Sequence, residues 1–348
     1  MEELFNLKPI FTVGDENEAF SLFNTASRDG ISVTAVCTTK TRVFVIVHTP
    51  SSKSPIACHL VVPPWNIRKL SVAPDLSCVA ILGDKTLLII SLSPLMNHVR
   101  PIKLMDPNSQ LNEKGTASSD ASRKIALESP VLDILWWEYS KELYILVVTS
   151  SKVQFRSPKN IKDVAYTLQT QNVIAATVGT SLYLLTTVGC YRYDMCEPPR
   201  FVGVKSTYNV SYSMNTSPIV STSQRISSPT WEMAVMHDGL TFYDAGNNET
   251  FSLFGVSKFF AVSKHFVCSS LESSVGIHFF REDGSWFDLH TDDTIDISSM
   301  LPDKDVFLIL TTHNLYQLSI SKSPSHYLAE LMEHSMWNEV KAMTKGFG

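Results

Sequence analysis

The chain is poor in the residues that mark several large classes of protein. Only 14 of its 348 residues are glycine and 17 are proline, and 18% are charged. Collagen-like, Pro/Gly low-complexity and long coiled-coil architectures are thereby excluded. Runs approaching 18 consecutive apolar residues are absent; the longest, such as Leu143–Val148, have strand length. Neither charge sign is in large excess: 29 basic against 34 acidic residues give a net charge of −5. That balance supplies no broad basic face for nucleic acid or an anionic membrane. The opening Met1-Glu2-Glu3 lacks the basic start and apolar core of a secretory signal, so the expectation is a cytoplasmic chain. The six cysteines, Cys37, Cys58, Cys78, Cys190, Cys196 and Cys268, are widely spaced in mostly apolar surroundings, which predicts buried free thiols. The Asn-x-Ser/Thr triplets at Asn209, Asn215 and Asn248 matter only in a secreted chain.

Signatures of chemistry are also missing. Metal sites need closely spaced Cys, His, Asp or Glu, but Cys190 and Cys196 have no second pair and the ten histidines are scattered. Glycine-rich phosphate loops and the G-x-S-x-G nucleophile elbow do not occur. The sequence therefore assigns no catalytic, cofactor-binding or metal-binding residue, no cofactor and no small-molecule substrate. Asp283-Gly284-Ser285-Trp286 matches part of a sialidase "Asp box" once, with the wrong spacing, and reads as a hairpin turn before an aromatic strand residue. Asp292, Asp293 and Asp296 form the densest acidic cluster, which reads as a solvated connection.

What is present is apolar content, 44%, arranged in a repeat. A short apolar strand, a few small or polar residues and a second strand recur from Val43, Val79, Leu143, Leu182, Met233, Phe266 and Val306. The starts are 36, 64, 39, 51, 33 and 40 residues apart. Further strand-like stretches, for example Ile67–Val72 and Val131–Trp136, precede the hairpins. Three or four strands per unit of about 40 residues is the period of a β-propeller blade. A single such sheet cannot bury both apolar faces, whereas stacked sheets can. The fold class predicted is all-β, a divergent seven-bladed propeller over residues 1–322. A β-sandwich is the competing architecture, but it rarely needs such length or such a repeat. With so little glycine and no Gly-His or Trp-Asp pairs, the blades are not regular WD repeats. Polar segments near 107–129 and 205–230, the latter with twelve Ser or Thr, read as insertions.

After the last hairpin the pattern turns helical. Ser323-Pro324 provides an N-terminal signal, Glu330 and Glu333 come early, Lys341 and Lys345 late, and Gly346 offers a stop. The spacing predicts an amphipathic helix over 324–345, within a region 323–348 read as the start of an α-solenoid. Its stripe is Leu328, Leu331, Met332, Met336, Val340 and Met343, with Trp337 beside it. Leu328, Leu331, Met332, Met336, Trp337 and Val340 are the candidate partner contacts on this helix. Trp136 and Trp137, adjacent on a strand, face opposite ways; one belongs to the core and the other packs between blades or anchors a partner. The stretch Lys152–Lys162 interleaves basic and aromatic residues and reads as a hairpin end with solvated lysines rather than a nucleic-acid or lipid patch.

The layout resembles the N-terminal half of propeller-plus-α-solenoid trafficking subunits, the class C Vps tethering proteins among them, and within that group the Bulli (Mic-type) accessory subunits of the endolysosomal Rab guanine-nucleotide exchange factor. The residues carrying the likeness are Leu4–Pro9, Ile67–Leu92, Val131–Pro158 and Leu328–Val340. The resemblance implies a non-catalytic scaffold that binds protein subunits of a trafficking complex, associates indirectly with endosomal or lysosomal membranes, and leaves Rab chemistry to its partners. Nucleoporins of the propeller-plus-helix kind share similar blocks, Val79–Leu92 above all, and keep a nuclear-pore or coat scaffold open as an alternative. A propeller enzyme, with carboxylates, His or Arg converging at one mouth of the disc, is the remaining class.

Overall fold

Alternating apolar residues on short strands, separated by Thr, Ser, Asn and Gly turns, fold into four-stranded antiparallel meanders. In the computed structural model the described residues are 5–14, 17–48, 55–60, 62, 65–99, 122–178, 181–196, 198–206, 219–222, 233–236, 240–243, 249–253, 258–261, 266–271, 274–280, 286–290, 299–303, 306–311, 313–320, 324–333, 335–338 and 340–341. They contain seven four-stranded sheets. The first blade comprises β2 (Phe20–Arg28), β3 (Ile31–Thr38), β4 (Val43–His48) and β5 (Ile56–Leu60). The second comprises β6 (Ile67–Val72), β7 (Cys78–Gly83), β8 (Thr86–Ser91) and β9 (Ser122–Ala126). The third has β10 (Val131–Tyr139), β11 (Glu142–Thr149), β12 (Lys152–Ser157) and β13 (Asn160–Gln169).

The fourth blade has β14 (Val173–Val178), β15 (Ser181–Thr186), β16 (Gly189–Asp194) and β17 (Arg200–Ser206). The fifth has β18 (Ile219–Thr222), β19 (Met233–Met236), β20 (Leu240–Tyr243) and β21 (Glu249–Leu253). The sixth has β22 (Lys258–Ala261), β23 (Phe266–Leu271), β24 (Ser274–Phe280) and β25 (Trp286–His290). The last sheet joins β26 (Ser299–Asp303), β27 (Val306–Leu310) and β28 (Asn314–Ile320) to β1 (Phe5–Thr12), in the order β26-β27-β28-β1. The fold class is the all-β propeller, with α1 (Ser93–Val99) after β8 and α2 (Pro324–Glu333) after β28.

Ile10–Thr170 with Thr312–Asn314 forms one compact unit, which holds the first three blades. Met1–Pro9, Gln171–Thr311 and Leu315–Gly348 form the other. In the first unit, stacking explains why the strands are apolar on both faces. Every residue of β7 is buried. Val79 and Ile81 join a core shared with Val33, Ala35, Val43 and Val45 of the first blade. Cys78, Ala80 and Leu82 join one shared with Ile134, Ile145 and Val147 of the third. The period of two sends alternate residues to opposite neighbours, so neither face reaches water.

A polar device recurs where the second strand of a blade turns into the third. Thr149 is buried, its hydroxyl donating to the Lys152 carbonyl at 2.9 Å and accepting from the Lys152 amide at 3.0 Å. Thr186 is buried likewise and donates to the Gly189 carbonyl at 2.9 Å. Thr38 accepts from the Arg42 amide at 3.2 Å. A β-branched residue that suits the strand thus also satisfies backbone groups the turn leaves unpaired.

Several sequence-based expectations change. The copy at Val43 is out of phase: it marks the third strand, β4, whereas the other six mark second strands. The insertion expected over 107–129 is shorter, because Ser122–Ala126 is strand β9; only Ile125 of its five residues is buried, which leaves no alternation to detect. Residues 107–121 lie outside the described residues. Within 205–230, Ser206 completes β17 and Ile219–Thr222 forms β18, paired along its whole length with β19. Tyr208–Tyr212, considered as an edge strand, lies outside the described residues. The single helix expected over 324–345 is interrupted: α2 ends at Glu333, Ser335 has φ 58°, and helical backbone resumes at Trp337. Among the described residues, no helix is long and apolar enough to cross a membrane.

Candidate interaction surfaces

The C-terminal helical segment divides the predicted stripe into anchors and exposed residues. Leu331 and Val340 are buried, at 4% and 9% exposure, and Leu328 and Met336 are half-buried. Met332 and Trp337 are exposed, at 45% and 53%. Within α2, Leu328 and Leu331 lie three apart on one face, and Met332 lies a step round the helix from Leu331. After α2 the left-handed Ser335 redirects the chain, and Val340 of the following helical turn is buried while Trp337 is exposed. Two of the six helix candidates therefore hold the segment in place, and two present large apolar surface to solvent.

The tryptophan pair is positioned by β10. Trp137 is 5% exposed and lies among rings: Tyr139 at 5.1 Å, its cross-strand partner Tyr144 at 5.3 Å, and Phe155 edge-on at 5.7 Å. It has no area left for a partner. Trp136 points the other way and packs, partly buried, against the core shared by the second and third blades. This is the packing between blades that alternation offered as one of two roles.

Other exposed apolar residues were not singled out from sequence. On β17, the terminal strand of its sheet, Phe201 and Val202 are 56% and 52% exposed, and Val188 in the β15–β16 turn is 59% exposed. Tyr193 pairs with Phe201 and Arg192 with Gly203, so Val202 is the extra residue of a bulge. Phe201 packs against Tyr193 at 5.4 Å and Tyr191 at 6.0 Å. Burial, with a smaller contribution from Tyr191, pushes the Tyr193 hydroxyl above its ordinary value. A signal existed in the adjacent Phe201-Val202 pair, since neighbouring strand residues cannot both face one core.

Charges on the first strands of the blades are paired across sheets. Lys69 of β6 bonds Asp133 of β10, and Arg28 of β2 meets Glu138 of β10 at 3.4 Å. The Asn24 side-chain oxygen accepts from the Val72 amide at 2.7 Å. Arg68 donates to the Val131 carbonyl at 3.2 Å. These contacts tie blade to blade. Among the described residues no group of three or more His, Cys, Asp or Glu is arranged to hold a metal. Trp286 begins β25, as the turn-then-strand reading of 283–286 requires, whereas 283–285 and the acidic cluster at Asp292, Asp293 and Asp296 lie outside the described residues. Of the cysteines, Cys37, Cys78 and Cys190 are buried and Cys58 and Cys196 half-buried, and none of these five is in a disulfide.

No family model matches the chain, and no curated protein matches it by sequence. Solved structures do. A chain of "Crystal Structure of Mitotic Checkpoint Complex" aligns at 13% identity, covering 91% of this chain and 95% of that one, with a TM-score of 0.58. The "AfRom2 CNH domain" aligns at 11% identity over 91% of this chain and all of that one, with a TM-score of 0.55. The WD40 domain of SCAP from fission yeast aligns at 10% identity over 92% of this chain and 99% of that one, with a TM-score of 0.49. At such identities the likeness to the first two carries the fold alone.

Proposed function

We propose that the chain is a non-catalytic interaction scaffold, a subunit of an endosomal or lysosomal membrane-trafficking complex that assists a Rab exchange factor or tethering assembly. Its membrane association on this reading is indirect, through partner subunits. The observation that supports it is the C-terminal segment, where Leu331 and Val340 are buried while Met332 and Trp337 are exposed. Large apolar side chains held on an anchored backbone lose little conformational freedom on binding, and aromatic anchors of this kind dominate protein interfaces. The resemblance of Ile67–Leu92 and Val131–Pro158 to trafficking subunits supplies the choice of complex.

The test is purification of the whole protein, tagged at its own locus, with mass spectrometry of the co-purifying chains. Rab exchange-factor or tethering subunits in fixed stoichiometry are expected. Met332→Glu combined with Trp337→Glu is expected to release them without changing the melting temperature. Nuclear-pore chains in their place would move the fold to a pore scaffold, and a chain that purifies alone would overturn the scaffold reading.

A further inference from the structure

The outer edge of the third blade gathers cations in a chain whose net charge is −5. In the β12–β13 pairing, Ser157 faces Asn160 and Arg156 faces Val164, so residues 161–163 are looped out of the ladder. Arg156 fills the loop from behind: its guanidinium donates to the Ile161 carbonyl at 2.8 Å, the Lys162 carbonyl at 3.1 Å and the Gln154 side chain at 2.9 Å. Burial lowers the Arg156 pKa, with Glu128 opposing. Ile161 is buried and Lys162 is exposed, so the bulge aims Lys162 outward from a fixed backbone. The neighbouring blade contributes beside it. β9 runs next to β13, and Arg123 of β9 donates to the Pro158 carbonyl at 2.8 Å, immediately before exposed Lys159. Lys124, the next residue, turns to the opposite face of β9, over the Trp65 ring at 6.0 Å, and is not part of this edge.

Arg123, Lys159 and Lys162 are thus three exposed cations on adjoining turns and edges, and among the described residues none is ion-paired to a carboxylate. The one carboxylate within the bulge, Asp163, accepts from Asn160. Beyond the bulge Val164 is 39% exposed and β13 is the terminal strand of its sheet. Gathering like charges on one edge has an electrostatic cost that an opposite partner charge relieves.

We propose that this bulged edge is a docking surface for an acidic, extended segment of a partner protein, its carboxylates meeting Arg123, Lys159 and Lys162. Extended peptide rather than membrane is favoured by the geometry. The cations lie along two strand edges, with exposed apolar Val164 just beyond them on a terminal strand, which suits one chain laid along the blade. The surface differs from the C-terminal segment and lies in the other compact unit.

The experiment uses the full chain and a fluorescein-labelled peptide of alternating Glu and Gly, with the Gln-Gly counterpart as control, read by anisotropy. The Glu peptide is expected to bind, and to weaken roughly tenfold between about 50 and about 300 mM salt as the charges are screened. Lys159→Glu with Lys162→Glu is expected to weaken it by at least about tenfold, because reversal adds repulsion to the lost attraction. Lys40→Glu with Lys141→Glu, exposed lysines elsewhere in the same unit, makes the same change in net charge and is expected to leave binding within about twofold. Equal loss in both double variants would reduce the effect to net charge and overturn the proposal. So would absence of peptide binding, or retention by vesicles containing phosphatidylserine that depends on Lys159 and Lys162 while the peptide is ignored.

Discussion

The amide of Met336 donates to the carbonyl of Leu331 at 2.9 Å, across a Ser335 whose φ is 58°. With the Ser335 amide bonded to the Met332 carbonyl at 3.1 Å, this is a helix C-terminus closed by a residue in the left-handed region, a place glycine fills without steric cost. Ser335→Gly is therefore expected to stabilise the protein by about 0.5–1 kcal/mol, the relief of left-handed strain outweighing the added freedom of the unfolded chain. Ser335→Val is expected to destabilise it by about 1–2 kcal/mol, since a β-branched side chain crowds this conformation further. Thermal unfolding of the two variants checks the order.

Gly83 closes β7 against the ring of Trp65. A Cβ placed there would overlap Cε3 and Cζ3 of the indole and stand 3.1 Å from the Asn66 carbonyl oxygen. Gly83→Ala is expected to cost about 1–3 kcal/mol through overpacking. Trp65→Leu removes the obstructing ring, so the double variant should cost less than the sum of the singles. Urea denaturation of all four proteins measures the coupling.

How much of this was legible in the sequence depends on where each strand sits. Second strands such as β7 and β11 are buried on both faces, so their apolar runs stand out, and the blade count followed from them. Outer strands carry little of that signal: β9 buries Ile125 alone and β13 buries Ile161 alone, their other positions lying exposed or half-buried along a sheet margin. The first blade was misphased because its second strand, Ile31–Thr38, mixes Ser, Thr and Cys with valine and so resembles a turn-rich stretch, whereas Val43–His48 is nearly unbroken apolar sequence. At the C-terminus the apolar spacing identified the anchoring residues Leu331 and Val340 together with the exposed Met332 and Trp337, yet not their division. What was not legible is the break in the helix, which depends on a left-handed serine, and serine carries no sequence mark of handedness comparable to glycine's. The cations of the bulged edge come from two blades, and only the fold brings Arg123 to Pro158.

Cys78 belongs to the core between the second and third blades, and burial pushes its thiol up to about 12 from an ordinary value near 9.0. The native state thus holds its proton where the unfolded chain has released it. Stability from this group is complete below pH 9, falls as pH rises from about 9 towards 12, and amounts to a few kcal/mol at most, about 1.4 for each unit of difference. Cys78→Ala is expected to flatten the loss of stability between pH 9 and 11. Urea midpoints across that range provide the comparison. In the native protein at neutral pH, iodoacetamide should label Cys58 or Cys196 well before Cys78.

Glu18 is the sharpest electrostatic commitment in the first unit. Its carboxylate is fully buried, accepts from the Thr38 hydroxyl and from Arg42 Nε at 2.8 Å, and forms an ion pair with Arg42 Nη2. Its backbone carbonyl lies 3.1 Å from His313 Nδ1, and the Val13 amide donates to the His313 carbonyl at 3.0 Å, so the same residue braces the turn before β28. The two partners are unequal, because the Arg42 side chain is 44% exposed and can be hydrated when alone. Arg42→Ala strands a carboxylate in the core and is expected to cost about 3–5 kcal/mol, the range for an uncompensated buried charge. Glu18→Gln keeps the shape and an acceptor for Thr38, releases Arg42 to solvent, and is expected to cost about 1–3 kcal/mol. Combining the two changes should restore much of the loss seen in Arg42→Ala, since a neutral amide in place of the Glu18 carboxylate leaves no charge to strand. If instead the double variant is the least stable of the three in urea, Arg42 stabilises the blade through packing of its stem over Phe44, 5.6 Å from the guanidinium carbon, rather than through the ion pair.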